Sequence, residues 1–136
     1  MKPYIDITNQ KLDVTPLRDV VWAPNCGAVV TFEGIVRDRD DGEKVTSITY
    51  EAYDSMARKE IEKIFHSAIE QWPDVRLAAA HRIGILAVGE TSVIVLAASP
   101  HRKEVFLAGE FVIDEIKRSV PIWKKEMRES GSRWKK

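Results

Sequence analysis

The chain has little of what marks several large classes of protein. Its 136 residues include a single cysteine, Cys26, which excludes an internal disulfide framework and a zinc site built from several cysteines. No run approaches eighteen apolar residues, and the N-terminal residues lack the apolar core of a signal peptide. Lys and Arg together number 21, as do Asp and Glu, so the net charge is zero. Because nucleic-acid and membrane-surface binders are usually basic overall, any anion site here must be local.

The remaining composition is that of a folded enzyme or binding subunit. Hydrophobic residues make up 44% of the chain and charged residues 31%, which excludes disorder and a membrane-embedded protein. We find no repeat, no low-complexity tract and no Gly/Ser/Pro linker, so residues 1–136 are expected to form one domain. We expect a cytoplasmic protein with no metal and no cofactor.

Hydrophobic spacing and turn residues predict an α+β fold. Thr15, Asp54 and Ser99 are the expected helix caps, and an Asp-Gly turn signal lies in the loop 37–44. That loop is expected to make a hairpin of the strands on either side, whereas residues 122–136 look polar and irregular. The expected class is mostly antiparallel hairpins with two long helices packed on them. The predicted strands are 4–8, 27–36, 45–53, 75–83, 85–88 and 92–98, and the predicted helices are 15–22, 55–72 and 99–118.

Two basic segments are candidate anion sites. His101 and Arg102 fall in the first turn of a predicted helix, where unpaired N–H groups and the positive end of the helix dipole favour an anion. An exposed polar turn explains the same residues equally well. Arg37 follows a strand and precedes the loop, where an arginine can clamp a phosphate. Its acidic neighbours Asp38, Asp40 and Asp41 can instead neutralise it.

A third basic cluster surrounds a proline and a tryptophan. Lys117 and Arg118 precede Pro121-Ile122-Trp123, and Lys124 and Lys125 follow it. Crowded cations lower one another's lysine pKa, and a neutral lysine is a nucleophile or a general base. The alternative is a solubilising cluster that complements the C-terminal end of a helix dipole. The aromatic and proline neighbours favour a shaped site at Lys124, whereas Lys117 alone fits the solubilising interpretation.

Two further residues have simpler interpretations. His66 has Glu62 and Glu70 four residues away on either side, an arrangement that fits a metal stripe or, more commonly, a solvated helix face. Cys26 lies beside a glycine with no Cys-His signature around it, which favours a small buried residue over a nucleophile.

Taken together, several ordered segments resemble the large, catalytic subunits of molybdopterin synthase, the MoaE family. The resemblance covers almost the whole chain, and the most specific part is the pair of lysines around Pro-Ile-Trp. The matching segments are 32–37 (FEGIVR), 50–53 (YEAY), 81–84 (HRIG), 99–102 (SPHR) and 116–126 (IKRSVPIWKKE), followed by Gly131 and Trp134.

The resemblance implies a fold of the α/β-hammerhead type and a homodimer of large subunits within a heterotetramer. Each large subunit would bind one small ubiquitin-like sulfur carrier, whose C-terminal Gly-Gly carries a thiocarboxylate. The implied reaction transfers sulfur from that thiocarboxylate to cyclic pyranopterin monophosphate and forms the dithiolene of molybdopterin. A non-catalytic adaptor that holds a ubiquitin-like tail or an anionic ligand is the alternative. A phosphohydrolase is disfavoured because no carboxylate cluster or metal motif is present.

The resemblance also assigns expected roles to individual residues. Lys117 and Lys124 match the catalytic lysines of the family. Family members often continue past Gly-x-x-Trp with an arm that supplies another basic residue. Here either Lys135 and Lys136 take over that contact or the contact is not needed. The expected substrate contacts are Ile35, Val36, Arg37, His101, Arg102, Lys117, Lys124, Lys125 and Glu126.

Overall fold

The computed structural model of the chain describes residues 4–128 and 130–135. The α+β prediction with two long helices is confirmed, and no helix among the described residues has the length and apolar character needed to cross a membrane. The helices are α1 (Thr15–Val21), α2 (Asp54–Gln71) and α3 (Arg102–Ser119). The strands are β1 (Tyr4–Thr8), β2 (Ala28–Ile35), β3 (Arg39–Asp40), β4 (Glu43–Ala52), β5 (Arg76–Arg82), β6 (Gly84–Ala87), β7 (Thr91–Ser99), β8 (Ile122–Arg128) and β9 (Gly131–Lys135).

The first sheet has the strand order β1-β5-β7-β2 and forms the centre of the protein. α2 and α3 pack on one face of it through the main hydrophobic core, and α1 covers the other face through a smaller core. With helices on both faces, β5 and β7 are buried along most of their length, and their sequences are nearly continuous apolar runs. β1 is parallel to β5, a pairing that the predicted hairpins did not include.

The second sheet has the order β3-β4-β8-β9, with β6 also paired to β4, and all its pairings are antiparallel. A small apolar core of Val36, Val45, Ile48 and Leu86 lies against it. The chain passes from the first sheet to the second between β5 and β6, where Gly84 has φ 97°. Such a positive φ suits glycine, and the short connection places the end of β5 beside the middle of β4.

The predicted hairpin of β2 with β4 is wrong. β2 pairs with β7, whereas β4 pairs with β3, β6 and β8. The loop between them contains its own tight turn at Asp41 and Gly42, whose φ values are 51° and 79°. Two successive residues with positive φ form the type of turn that closes a two-residue hairpin. The Asp-Gly signal was therefore read correctly, but the turn joins β4 to the short strand β3.

The prediction of an irregular C-terminal segment is also wrong. β8 and β9 form an antiparallel hairpin, and β8 lies against β4. The sequence pattern did not predict these strands because apolar and polar residues do not alternate along them. The buried positions Glu126 and Arg128 are charged and neutralise each other at an Nη2–Oε1 distance of 2.6 Å.

The three predicted N-cap residues do not cap their helices. Oδ1 of Asp13 accepts the N–H of Thr15 at 2.9 Å, so the capping carboxylate lies two residues earlier than expected. Asp54 is the first residue of α2. Ser99 still belongs to β7, and its hydroxyl donates to the carbonyl of His101 at 2.6 Å. The N-cap positions are Val14, Tyr53 and His101.

Candidate active site

A cavity of about 140 Å³ lies where the last turn of α3 meets both sheets. Apolar side chains from α3, β7 and β8 form part of its wall. The polar part of the lining comes from five elements: Tyr50 of β4, His81 of β5, Ser92 of β7, Lys117 of α3 and Lys124 of β8. Two lysines and three neutral polar groups therefore share one small cavity that opens to solvent.

A sharp reversal of the chain brings Lys117 and Lys124 to this cavity. α3 ends, Val120 is extended, and the N–H of Ile122 donates to the Val120 carbonyl at 2.8 Å as β8 begins. The proline between them cannot continue a helix, so the chain turns back at once. In β8, Lys124 lies directly opposite Tyr50 of β4. The structure thus brings the two predicted lysines together, while their roles stay predictions.

The cavity environment changes the acidity of Lys124. Burial lowers the pKa of Lys124 below its ordinary value, and the positive charges of Lys117 and Lys135 act in the same direction. The carboxylates of Glu126 and Asp40 partly oppose these effects. A lysine with a lowered pKa is neutral in a larger fraction of molecules at a given pH, and the neutral amine is the nucleophilic and basic form.

Three polar residues of the cavity were not among the predicted site residues. Tyr50 and His81 contact edge to face, with ring centroids 5.0 Å apart, and burial raises the pKa of Tyr50. Burial lowers the pKa of His81 to about 4, and the charge of Lys117 adds to this effect. The hydroxyl of Ser92 donates to the carbonyl of Gly34 at 3.2 Å. The usable sequence signal was a histidine at the end of an apolar strand, where a core side chain is expected.

Glu126 lies in a charge network next to Lys124 on β8. Only 3% of Glu126 is exposed, and its Oε1 accepts from Nη2 of Arg128 at 2.6 Å and lies 3.4 Å from Nζ of Lys135. Asp40 pairs with the same two cations, and hydrogen bonding, chiefly from Lys135, lowers its pKa to about 2. The Glu126 carboxylate is thus engaged within the protein, and a substrate contact by it stays a prediction.

Lys125 lies on the outer face of the second sheet. Successive side chains of a strand point to opposite faces, so Lys125 points away from Lys124. Its Nζ lies 5.7 Å from the ring centroid of Trp134, which is half exposed. The sequence grouped the two adjacent lysines, but the strand separates them, and Lys125 is not part of the cavity lining.

The predicted contacts at the end of β2 differ in accessibility. Ile35 is exposed, and Arg37 extends into solvent with its guanidinium 3.8 Å from the Asp40 carboxylate. Val36 is buried in the small core, its N–H donates to the Glu90 carbonyl, and its carbonyl accepts from Gly89. A substrate contact by Val36 would therefore have to use the second lone pair of its carbonyl. These residues do not line the cavity.

His101 and Arg102 lie at the opposite end of α3 from Lys117. Both are exposed and border a separate surface depression that also includes Gly27 and Lys103. α3 is continuous from Arg102 to Ser119, so it does not fold back within the chain. The structure therefore keeps the two predicted halves of the site apart within one chain.

The remaining candidates have structural surroundings. Lys135 is engaged with Asp40 and Glu126, and Lys136 lies outside the described residues. Cys26 is partly buried against the smaller core, which agrees with its structural interpretation. His66 is exposed on α2.

Comparison with known proteins points to one family. A model of the family described as "MoaE protein" matches residues 7–119. This chain is similar to the molybdopterin synthase catalytic subunits of Taeniopygia guttata, Homo sapiens and Staphylococcus carnosus, with sequence identities of 42%, 41% and 40%. Each alignment covers 98% of this chain, and they cover 87%, 71% and 89% of the respective relatives.

Solved structures agree with the sequence relatives. Molybdopterin synthase from Staphylococcus aureus superposes with a TM-score of 0.92 at 38% identity, covering 96% of each chain. A complex of subunits 1 and 2 of molybdopterin-converting factor from Helicobacter pylori has a TM-score of 0.76 at 26% identity, covering 98% of this chain and 90% of that one. The hammerhead-like α+β fold implied by the resemblance is confirmed. The chain belongs to the MoaE family, the family of molybdopterin synthase catalytic subunits.

Proposed function

We propose that the chain is a sulfurtransferase that makes the dithiolene of molybdopterin. The sulfur comes from the thiocarboxylate at the C-terminal Gly-Gly of a small ubiquitin-like subunit, and the acceptor is cyclic pyranopterin monophosphate. The observation that carries this proposal is the meeting of Lys117 and Lys124 in one cavity of about 140 Å³. Family membership supports it, since the relatives are named as catalytic subunits of the synthase.

The two lysines are proposed to have different roles. Lys117 is the residue closest to chemistry, and it either attacks the thiocarboxylate or pterin carbon as a nucleophile or moves protons. Lys124 stabilises the negative charge that develops in the reaction. Burial lowers the pKa of Lys124 below its ordinary value, so its ammonium gives up a proton more readily than that of an exposed lysine.

The phosphate of the acceptor requires cations, and we assign Arg37, His101 and Arg102 to it. Their exposure suits contact with a large ligand, and the N-terminal end of α3 adds the positive end of the helix dipole. Because His101 and Arg102 lie far from Lys117 along α3, we propose that they act on the cavity of a second copy. The assembly would then be a homodimer of large subunits with one small subunit bound to each, a heterotetramer. The H. pylori complex of subunits 1 and 2 supports the small partner.

Reconstitution from purified components tests this function. The protein is mixed with thiocarboxylated small subunit and cyclic pyranopterin monophosphate, and the pterin product is measured by chromatography after oxidation. Product should form with the wild-type protein and with Lys59→Ala, an exposed lysine of α2 that serves as a matched control. Absence of product in the presence of a stable complex with the small subunit would refute the proposal.

The second candidate is a non-catalytic adaptor for a ubiquitin-like tail or an anionic ligand. The same experiment separates the two, because an adaptor binds the small subunit without converting the pterin. A cytoplasmic location is part of the proposal, and fractionation of cells that express the tagged protein tests it.

A further inference from the structure

His81 occupies a position where an apolar side chain is expected. It is in β5, opposite Ile7 of β1 and Val93 of β7, in the interior of the first sheet. Strand alternation places it on the same face as Leu77 and Ala79, which belong to the main core under α2 and α3. Only 8% of His81 is exposed. Burying a polar ring costs free energy unless its nitrogens are satisfied, so the two nitrogens have to be accounted for.

The first nitrogen fixes the tautomer of the ring. Nδ1 of His81 lies 2.8 Å from the backbone carbonyl oxygen of Arg82. A carbonyl only accepts hydrogen bonds, so the proton is assigned to Nδ1. The lowered pKa of about 4 keeps the ring neutral at physiological pH. Nε2 is therefore an uncharged acceptor with its lone pair free of a proton.

The second nitrogen is the one that is available to the cavity. Nε2 has no hydrogen-bond partner within residues 4–128 and 130–135. Some unpartnered polar atoms of the protein are fully buried, and Nε2 is not one of them. It therefore keeps accessible surface, and His81 is part of the cavity wall. Tyr50 contacts the ring edge to face, which limits its rotation. The result is a restrained ring whose unpartnered acceptor is available to the space that Lys117 and Lys124 share.

We propose that His81 is a positioning residue for Lys117, whose Nζ donates a hydrogen bond to His81 Nε2 when the lysine turns into the cavity. The inference rests on the proposed function and adds a residue to its site. Lys117 and His81 line the same cavity, and Lys117 is the cation whose charge acts on the imidazole. Lys117 is exposed at the mouth of the cavity and has a long, freely rotating side chain. A neutral acceptor on the wall would hold its amine towards the reacting atoms and limit the other positions that the long side chain can take.

A neutral acceptor suits this role better than a carboxylate. A buried carboxylate would raise the lysine pKa and hold the amine in its ammonium form. A neutral imidazole orients the amine without adding that charge attraction, so the lysine is still able to lose a proton. The carboxylates next to the cavity, Glu126 and Asp40, are already paired with Arg128 and Lys135.

Two amide substitutions separate positioning from a structural role. In His81→Asn, the amide nitrogen takes the place of Nδ1 and preserves the bond to the Arg82 carbonyl, but nothing replaces Nε2. In His81→Gln, the longer amide reaches the position of Nε2 and supplies a carbonyl acceptor to the cavity. The proposal expects His81→Gln to keep most of the turnover and His81→Asn to lose roughly tenfold to a hundredfold in kcat with little change in KM. The reverse order, or equal losses that follow the melting temperature, would overturn it.

Nuclear magnetic resonance reads the same hydrogen bond without turnover. The chain has three histidines, and substitution of His66 and His101 assigns the remaining imidazole signals to His81. Replacing Lys117 by Met should shift the ¹⁵N resonance of His81 Nε2 and leave that of Nδ1 in place. An unmoved Nε2 resonance would overturn the positioning role even with normal turnover. A shifted resonance in a protein that makes no pterin product would instead count against the proposed function alone.

Discussion

Mixing two inactive variants tests whether the active site is completed across a homodimer. Arg102 is the first residue of α3, and Lys117 lies fifteen positions later on the same unbroken helix. At about 1.5 Å per residue, the two backbones are roughly 22 Å apart. A glycine is a place where a helix can break, but Gly109, the one glycine of α3, is a buried part of the continuous helix. If Arg102 holds the acceptor phosphate and Lys117 acts at the pterin, we therefore expect the two residues to come from different chains.

The expected recovery follows from counting sites. A two-fold dimer carries two equivalent composite sites, each combining Arg102 of one protomer with Lys117 of its partner. In a heterodimer of Arg102→Ala with Lys117→Ala, one site loses both residues and the other keeps both. Random exchange of an equal mixture makes about half of the dimers heterodimers, so about a quarter of all sites are intact. We expect each variant alone to be inactive and the mixture to regain about a quarter of wild-type sulfur transfer.

The assay is steady-state formation of the pterin product, with subunit exchange followed independently by two different affinity tags. Lys59→Ala mixed with Lys117→Ala serves as the control, and it should retain one intact site in every heterodimer and one half of the activity overall. No recovery in the test mixture, with exchange demonstrated, would refute the composite site and place both residues in one chain.

The other predictions concern single components. Lys117→Ala should reduce turnover at least a hundredfold. The melting temperature and the binding of the small subunit should stay unchanged, because the lysine is exposed at the cavity mouth. Near-wild-type transfer would remove Lys117 from the mechanism. Deleting the terminal glycine of the small subunit should stop sulfur transfer but preserve the complex in gel filtration. The expected reason is that the narrow Gly-Gly tail must enter the cavity of about 140 Å³ to reach the lysines. Activity after the deletion would contradict this threading of the tail. As pH falls from 6.5 towards 4, the unfolded chain protonates His81 before the folded chain does, since the folded pKa is about 4. The contribution of neutral His81 to the free energy of unfolding should therefore be fully present above pH 6.5, and about 3 kcal/mol of it should be lost by pH 4. In urea titrations, His81→Gln should show a fall in stability that is smaller by this amount.

Local patterning was sufficient for most of the elements. β1 was predicted with both its ends, and the predicted helix 99–118 is present as α3, where Val105, Ala108, Val112 and Ile116 form a buried stripe at helical spacing. These predictions succeed because a helix or strand that buries one face has apolar residues at a regular spacing in its sequence. The position of the Asp-Gly turn was also correct, since positive φ values restrict the residue types.

Pairing between distant strands was not predictable in the same way. The parallel contact of β1 with β5, and the contact of β4 with β8, join segments about seventy residues apart and leave no local signature. The strand β8 was missed because two of its three buried side chains, Glu126 and Arg128, are charged and paired. Patterning by hydrophobicity treats such residues as exposed, although their ion pairs satisfy them inside the protein.

The site was predicted in part for a related reason. Lys117 and Lys124 stand close in sequence on either side of a proline, so their meeting was foreseeable. The neutral wall of Tyr50, His81 and Ser92 comes from three different strands, and only the tertiary structure brings them together.

The chain has zero net charge and yet a basic site, because its carboxylates pair with cations other than the two lysines of the cavity. Asp40 and Glu126, two of the acids of the second sheet, are engaged with Arg128 and Lys135. Among the residues that the structure describes, neither Lys117 nor Lys124 forms a salt bridge, although the carboxylates of Glu126 and Asp40 act on Lys124 from a greater distance. Overall neutrality therefore coexists with two lysines at one cavity that have no direct acidic partner. An anionic group that enters this space meets charge that the protein has not neutralised itself. The thiocarboxylate and the phosphate of the proposed reaction are both anions, the kind of group that two such lysines attract.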